Sequence, residues 1–422
     1  MTPNKSPWWW VPTLYFAEGL PYVTVMTLTV ILYKNMGMSN TDVALYSGWL
    51  YLPWVIKPLW SPLVDMFSTK RRWIVLMQFL IALGLAGVAL TLPMSSFFTW
   101  SLACFYMVAF FSATHDIAAD GFYILALDTH GQSLFVGIRS TFYRIATVAA
   151  QGGVVVVAGL LEKHLESVSD AWSTVFMGLS LFFFLISFYH WWVLPTPTAD
   201  RAGCGGVSRK ATLSEFFNIF KRFFMKPGIV QAIMFMLLYR LPEAMLVKLI
   251  NPFLLDSATV GGLGMSTEQV GITYGTVGII GLTLGGIIGG IVVARGGLGN
   301  WLKPMAWSMS LTCLTFLYLS MMPDSSLLTV NICVFVEQFG YGFGFTAYML
   351  YLIYFVEGPD ATAHYSICTG FMALGMMLPG MAAGWIQEQI GYPMFFGLTI
   401  ACCAFTIGMA SIIKINPSFG KK

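Results

Sequence analysis

The stretch GMSNTDVALYSG at residues 37–48 occurs a second time, as GMSTEQVGITYG, at residues 264–275. Both copies begin with Gly-Met-Ser, and a valine and a glycine follow at the same spacing. Two shorter matches keep the same order and nearly the same offset: Leu20-Pro21 with Leu241-Pro242, and Ala158-Gly159 with Ala383-Gly384. Such self-similarity predicts a chain built from two halves of similar construction.

The composition places both halves in a membrane. Of the 422 residues, 57% are hydrophobic and 10% are charged, whereas soluble domains carry about 25% charged residues. This composition excludes a soluble enzyme, a nucleic-acid binder and a disordered scaffold, because a soluble chain of this length needs a polar exterior. The net charge is +3, so we expect no nucleic-acid partner. The class that remains is a polytopic membrane protein.

Crossing a bilayer takes about 20 mainly apolar residues. The sequence predicts twelve such spans, at about 8–34, 41–65, 72–93, 98–126, 132–161, 171–194, 227–256, 267–294, 300–322, 327–356, 361–387 and 392–414. The predicted fold class is therefore all-α, with twelve transmembrane helices arranged as two pseudo-symmetric six-helix bundles. The predicted domains are an N-terminal bundle at 1–194, a linker at 195–226 and a C-terminal bundle at 227–422. Thr212 and Glu215 form a capping box ahead of an apolar run, which predicts an amphipathic helix in this cytoplasmic linker.

The distribution of cations predicts the orientation. With a cytoplasmic N-terminus, sixteen of the 22 lysines and arginines lie on the cytoplasmic side and only Lys34 and Lys163 lie outside. Cytoplasmic loops carry an excess of such residues. Both termini are therefore expected in the cytoplasm.

Five acidic residues lie inside the predicted spans. They are Glu18 in the first span, Asp116 and Asp120 in the fourth, Glu243 in the seventh and Glu337 in the tenth. Ionisable side chains are costly at membrane depth and usually serve function. Parallel six-helix repeats are the construction of major facilitator transporters, in which these four helices line the central cavity.

Depth along the helices suggests partners for the acids. Arg144 in the fifth span lies at a depth similar to that of Asp116 and Asp120. Arg240 in the seventh span and Glu337 in the tenth both lie near the middle of the membrane. Each pair is either a fixed structural salt bridge or a functional site. In the functional alternative, a carboxylate takes up and releases a proton, or an arginine binds an anionic part of the substrate. The role of His115, beside Asp116, is left open.

The segment Ser61-Pro62-Leu63-Val64-Asp65-Met66-Phe67-Ser68-Thr69-Lys70-Arg71-Arg72 follows the second span. It resembles the cytoplasmic motif of major facilitator transporters: glycine, three residues, aspartate and a basic pair. Ser61 replaces the glycine and Met66 the usual basic residue. The resemblance implies that Asp65, Arg71 and Arg72 form a cytoplasmic gate.

Several segments together resemble one branch of that superfamily, the peptide, acetyl-CoA and drug transporters, which includes the AmpG-type muropeptide permeases. The carrying segments are Glu18-Gly19-Leu20-Pro21, Lys57 to Asp65, Arg71-Arg72-Trp73, Asp116-Ile117-Ala118-Ala119-Asp120-Gly121, Tyr143-Arg144, Gly342 to Ala347 and Ala382 to Trp385. The resemblance implies a proton-driven carrier working by alternating access. AmpG-type members import N-acetylglucosaminyl-anhydro-muropeptides.

Site roles are then expected as follows. Proton coupling is assigned to Asp116, Asp120, Glu337 and Glu18, and substrate binding or charge pairing to Arg144, Arg240, Glu243, Tyr143, Lys57 and Tyr348. The expected partners are a small-molecule substrate, protons and membrane lipid. The expected state is a monomer in the bacterial inner membrane, with no catalytic residue, metal or cofactor, and with the proton gradient as driving force.

Two alternatives to a muropeptide carrier remain. One is a carrier of acetyl-CoA or another anionic metabolite. The other, more remote, is a polytopic membrane enzyme. An enzyme would be expected to place a catalytic constellation on a sizeable loop, and the sequence contains no long extramembrane loop, metal cluster or nucleotide motif.

Overall fold

A computed structural model describes residues 6–127, 129–198, 200, 209–357, 361–416 and 419–420, without the side chains at 62, 63, 65, 66, 129–134, 136, 137, 209–216, 361 and 362. Every regular element in this part of the chain is helical. The α-helices are α1 (Val11–Val23), α2 (Thr29–Asn35), α3 (Asn40–Trp49), α4 (Leu52–Phe67), α5 (Lys70–Thr91), α6 (Phe97–Ala126), α7 (Thr129–Val148), α8 (Val155–Leu165), α9 (Val168–Val193), α10 (Arg209–Phe224), α11 (Ile229–Leu238), α12 (Leu241–Leu255), α13 (Thr267–Ile272), α14 (Ile279–Gly296), α15 (Leu298–Thr312), α16 (Leu314–Met321), α17 (Leu327–Val356) and α18 (Ala361–Ile412).

The predicted all-α membrane fold is confirmed. Within the described ranges, eight helical segments are long and apolar enough to cross a membrane. Several predicted spans are broken into shorter helices; the second, at 41–65, is divided between α3 and α4. The total of twelve spans stays a prediction.

The breaks have local causes. π-helical segments at Thr24–Leu28, Ala149–Val154 and Thr273–Gly278 interrupt three long helices. Within α18 the backbone turns at Gly391, whose φ of 75° lies in the left-handed region that glycine adopts without strain. A π-helical turn perturbs the regular ladder of backbone hydrogen bonds and is frequent at functional sites.

The repeated stretches of sequence form the same local structure. Gly37 and Gly264 both have positive φ, 81° and 62°. Two residues later, Ser39 and Ser266 cap the N-termini of α3 and α13 by accepting a hydrogen bond from a backbone N–H of the first turn. The repeat therefore encodes a turn followed by a capped helix.

The chain forms two compact units. The first contains Met1–Thr29 and Ile56–Phe217, and the second contains Val30–Val55 and Asn218–Lys422. Each has its own apolar core, built around Trp10 and Phe122 in the first unit and around aromatic side chains of α11 and α17 in the second. The segment 30–55, from the first two predicted spans, thus packs with the second unit. The predicted boundaries of the two bundles, 1–194 and 227–422, stay a prediction. They come from the repeat in the sequence, whereas the two compact units are defined by packing.

Glycines allow α14 and α17 to approach closely in the second unit. A Cβ atom added at Gly285 would lie 2.1 Å from the carbonyl oxygen of Phe339, and one added at Gly342 would lie 2.1 Å from that of Leu282. Small residues at such crossings let helix backbones pack against each other in a membrane.

The linker helix is present as α10, but it begins at Arg209. Thr212 lies inside this helix, so its predicted capping role is wrong: Arg209, Lys210 and Ala211 are all good helix formers and continue the helix toward the N-terminus. Near its C-terminus Phe223 is fully buried, whereas Lys221 is exposed.

Candidate functional sites

A cluster of charged side chains lies in the first unit, on α1, α4, α6 and α7. Asp116 and Asp120 are one turn apart on α6, so they share a face. The Asp116 carboxylate lies 3.6 Å from the Lys57 ammonium, and the Asp120 carboxylate lies 2.6 Å from the Arg139 guanidinium. Two helices thus each contribute a cation to one face of α6.

Aromatic rings position Arg139. Its guanidinium carbon lies 4.4 Å from the ring centroid of Tyr15 and 5.6 Å from that of Tyr123. Tyr15 is fully buried. Cation–π contacts of this kind orient a guanidinium group without using its hydrogen-bond donors, and they place the charge of Arg139 beside the Asp120 carboxylate.

Glu18 is the deepest acid of this cluster. Its residue is 6% exposed, and its Oε2 atom accepts no hydrogen bond. The carboxyl group interacts electrostatically with both aspartates, with Arg139 and with Lys57. The adjacent Gly19 lets α1 approach α7, because a Cβ there would lie 3.1 Å from a backbone carbonyl oxygen of that helix. The cluster therefore holds three carboxyl groups, and its two ion pairs use two of them.

His115 faces away from this cluster. Its Nε2 atom is 2.9 Å from Nε2 of Gln78, whose Oε1 atom is 2.9 Å from Nδ1 of His190. The Nε2 atom of His190 is in turn 3.0 Å from the hydroxyl of Thr13. Gln78, His115 and His190 are each at most 1% exposed. This chain of contacts holds the rotation of α6, and with it the direction of Asp116.

A second cluster lies in the second unit, where the helix breaks between α11 and α12. Arg240 is 6% exposed, and its Nη2 donates a hydrogen bond to the Tyr341 hydroxyl at 2.6 Å. Its guanidinium carbon also lies 4.6 Å from the ring centroid of Phe345 and 5.8 Å from that of Tyr348. Pro242 at the start of α12 has no backbone N–H to donate, which suits a helix N-terminus.

Two buried acids accompany Arg240. Glu243 and Glu337 are each 1% exposed and interact electrostatically with one another. Glu337 accepts a hydrogen bond from Gln338 at 2.8 Å, and Oε1 of Glu243 accepts none. Two neighbouring carboxyl groups in an apolar interior disfavour double ionisation.

Lys248 is a further buried cation, 3% exposed. Its ammonium donates to the Ser47 hydroxyl at 3.0 Å and lies 4.9 Å from the ring centroid of Tyr51. Both partners belong to the segment 30–55, which packs in this unit.

A polar network at the end of α12 was not found from the sequence. Lys34 lies 2.7 Å from Asp256, whose other oxygen accepts hydrogen bonds from Tyr392 at 2.7 Å and Asn40 at 3.2 Å. Asn40 also donates to Gln387 at 2.7 Å. Lys34 is one of only two lysines or arginines predicted on the outer side of the membrane, and this unusual position is the sequence signal that could have pointed to the network.

The predicted gate is only partly within the described structure. The Asp65 side chain lies outside the described residues. The Arg71 guanidinium donates to the backbone carbonyls of Trp191 and Leu194 at the end of α9, and Arg72 is exposed. The gate assignment stays a prediction.

The structure gives the two aspartates of α6 partners that the depth argument did not name: Lys57 for Asp116 and Arg139 for Asp120. Pairing of Arg144 with the α6 aspartates, and of Arg240 with Glu337, stays a prediction, as do the substrate roles of Tyr143 and Tyr348. The Tyr348 hydroxyl donates to a backbone carbonyl in α11 at 3.0 Å. Sequence reasoning missed Arg139 as a site residue, because it was counted only toward topology.

Comparison with known families identifies the chain. The sequence model of the Major Facilitator Superfamily matches residues 13–366, most of the chain. The chain belongs to the Major Facilitator Superfamily. It is accordingly a membrane transporter of a small molecule and not an enzyme, which confirms both predictions.

Relatives are similar over most of their length, and a solved structure shares the fold. A Rickettsia conorii protein named AmpG 4 is 25% identical to this major facilitator protein over 421 residues, 96% of each chain. The anhydromuropeptide permease of Escherichia coli (strain K12) is 24% identical over 92% of this chain and 76% of its own length. The D-xylose-proton symporter structure superposes with a TM-score of 0.71 at 11% identity, covering 98% of this chain and 97% of its own.

Proposed function

We propose that this major facilitator protein is a proton-coupled importer of muropeptide-like sugar–peptides or related amino-sugar compounds. We place it in the bacterial inner membrane with both termini in the cytoplasm, as a monomer that needs no cofactor beyond the proton gradient. The names of its relatives support the substrate class, and the cation distribution supports the orientation.

One observation carries the coupling proposal: Glu18 is buried, and one of its oxygens has no hydrogen-bond partner. Lys57 and Arg139 are already engaged by Asp116 and Asp120. A carboxyl group without a cation of its own is less costly to bury neutral than ionised. Glu18 is therefore the group that carries the proton. Glu18 releases its proton when Lys57 moves from Asp116, or Arg139 moves from Asp120, toward the Glu18 carboxyl group.

The second unit supports the binding of a peptide that bears carboxylates. Arg240 presents a planar guanidinium that suits a carboxylate, and Tyr341 and Phe345 place aromatic faces beside it. Aromatic faces next to hydroxyl groups suit sugar rings. In this proposal, the peptide carboxylate competes with Tyr341 for Arg240.

Uptake in membrane vesicles tests the coupling. With an imposed pH gradient, the wild type should accumulate anhydromuropeptide, and a protonophore should abolish that accumulation. Glu18→Gln should lose accumulation while keeping counterflow exchange, because the neutral amide cannot cycle a proton. The matched control is Asp324→Asn, an exposed acid, which should behave as wild type. Accumulation by Glu18→Gln at the wild-type level would refute the role of Glu18, and uptake that survives the protonophore would refute proton coupling.

A second cargo class, acetyl-CoA or another anionic metabolite, is favoured by one observation, the two buried cations Arg240 and Lys248. Competition by CoA esters and by muropeptides for the same labelled substrate separates the two. Stronger competition by CoA esters would replace the muropeptide proposal and leave the transporter assignment intact.

A further inference from the structure

A groove runs along the outer surface of the first unit between α5 and α9. Its volume is about 630 Å³, within the range of small-ligand sites. Its walls are mostly apolar and include Leu76 and Phe79 from α5 and Phe184 and Phe188 from α9. These four side chains are between 38% and 63% exposed, so the groove opens outward, where the acyl chains of a bilayer lie.

One end of the groove is basic. Arg71 and Arg72 line it in the first turn of α5, beside Trp191 near the end of α9. Phe79 follows Arg72 by seven residues, which corresponds to about 10 Å along a helix. The groove therefore has a cationic head and an apolar body about 10 Å long, the amphipathic pattern of a lipid.

The two arginines are held differently. The Arg71 guanidinium is anchored by backbone carbonyls of Trp191 and Leu194, and this fixes its charge at the end of the groove. Arg72 is exposed, and its side chain is available to the groove. The nearby acid, Asp200, accepts hydrogen bonds from the backbone N–H groups of Lys70 and Arg71 at 2.7 and 3.0 Å. Its carboxylate is thereby held at the helix N-terminus, where it also interacts electrostatically with Arg71, so Arg72 is the arginine that presents its charge to the groove.

The geometry points to a binding site for one anionic phospholipid. Its phosphate contacts Arg72 beside the charge of Arg71, Trp191 lies at the level of the headgroup, and one acyl chain lies along Leu76, Phe79 and Phe184. Tryptophan is enriched at the interface of membranes, and basic pockets between helices on the cytoplasmic side bind anionic headgroups. In the orientation proposed above, this end of α5 faces the cytoplasm.

Native mass spectrometry of the full-length purified protein tests the site. The probes are phosphatidylglycerol, phosphatidylcholine with the same acyl chains, and glycerol phosphate, which has the headgroup chemistry alone. The wild type should retain phosphatidylglycerol in preference to phosphatidylcholine and should not retain glycerol phosphate. Equal retention of the two lipids would overturn the proposal, and retention of glycerol phosphate would identify a free-anion site instead.

Two variants separate the head from the body of the site. Arg72→Gln should weaken retention of phosphatidylglycerol about fivefold, the effect of one basic residue near a membrane surface. The matched control Lys303→Gln, an exposed cation in α15, should leave retention unchanged. Leu76→Trp fills the groove on an exposed position and should lower retention with both arginines intact. Wild-type retention by Arg72→Gln, or an equal loss with Lys303→Gln, would overturn the proposal.

Discussion

Asp256→Asn should loosen α3 from the rest of the second unit. Lys34, on α2, pairs with Asp256 and also donates a hydrogen bond to Oδ1 of Asn40, the first residue of α3, at 2.7 Å. The Lys34–Asp256 ion pair has side-chain exposures of 14% and 13%, with an N–O distance of 2.7 Å. Removing one partner of a buried pair costs about 3–5 kcal/mol. Asparagine can keep the hydrogen bonds to Tyr392 and Asn40, and both charges are slightly solvated. We therefore expect a cost at or just below the lower limit of that range, about 2–3 kcal/mol.

Amide hydrogen exchange measures this cost directly. If α3 separates locally, a loss of about 2–3 kcal/mol corresponds to exchange about 30- to 150-fold faster at residues 43–48. Exchange in α14 and α17 should not change. The control Asp42→Asn removes an acid that contacts Ser39 at the exposed start of α3, and should leave residues 43–48 protected.

A double-variant cycle sharpens the test. Lys34→Met removes the ammonium that Asp256→Asn leaves without its carboxylate, so the double variant should be less unstable than the sum of the single variants. An increase of less than about threefold at residues 43–48, with α14 and α17 still protected, would show that the ion pair does not hold α3. Strict additivity would show that the two residues act separately.

Three further variants test the packing and the charge clusters. Gly285→Ala should destabilise the protein by about 2–3 kcal/mol in thermal unfolding, because the new methyl meets backbone; Gly290→Ala, with open space around it, is the control, and equal melting of the two would contradict this. Asp120→Asn should abolish proton-driven accumulation by releasing Arg139, with only a small change in melting because the pair is partly exposed; accumulation at the wild-type level would refute it. Gln78→Leu should cost at least about 2 kcal/mol, since two buried histidines lose a partner; a neutral effect in the same melting assay would contradict that view.

Some site features followed directly from the sequence. The acids Glu18, Asp116 and Asp120 could be named because a charged residue inside an apolar run is conspicuous. The residues that partner them could not be identified in the same way. Lys57 was identified through a family resemblance, and Arg139 was assigned only to topology, because it lies near the start of its predicted span, where a cation is unremarkable.

The buried network of Asn40, Asp256 and Tyr392 shows the same limit. These residues lie far apart in the chain, and each alone is an ordinary polar residue near the end of a helix. Only their common packing turns them into a site. Likewise, His115 could not be assigned a role until the structure placed it against Gln78, on a different face of α6 from the charge cluster.

The sequence by itself determined that this chain is a helical membrane transporter built as a repeat. Hydropathy, cation bias and repeated caps are local properties: the first two act through the partition of short segments between water and lipid, and a cap acts through a hydrogen bond within one helical turn. The tertiary structure decided which charges meet and which stay without a partner. Successive residues in a helix point about 100° apart, so the rotation of a helix about its axis decides which partners each of its charges meets. That rotation is set by distant contacts, such as the glycine approach of α1 to α7 and the chain from His115 to Thr13, which no single segment encodes.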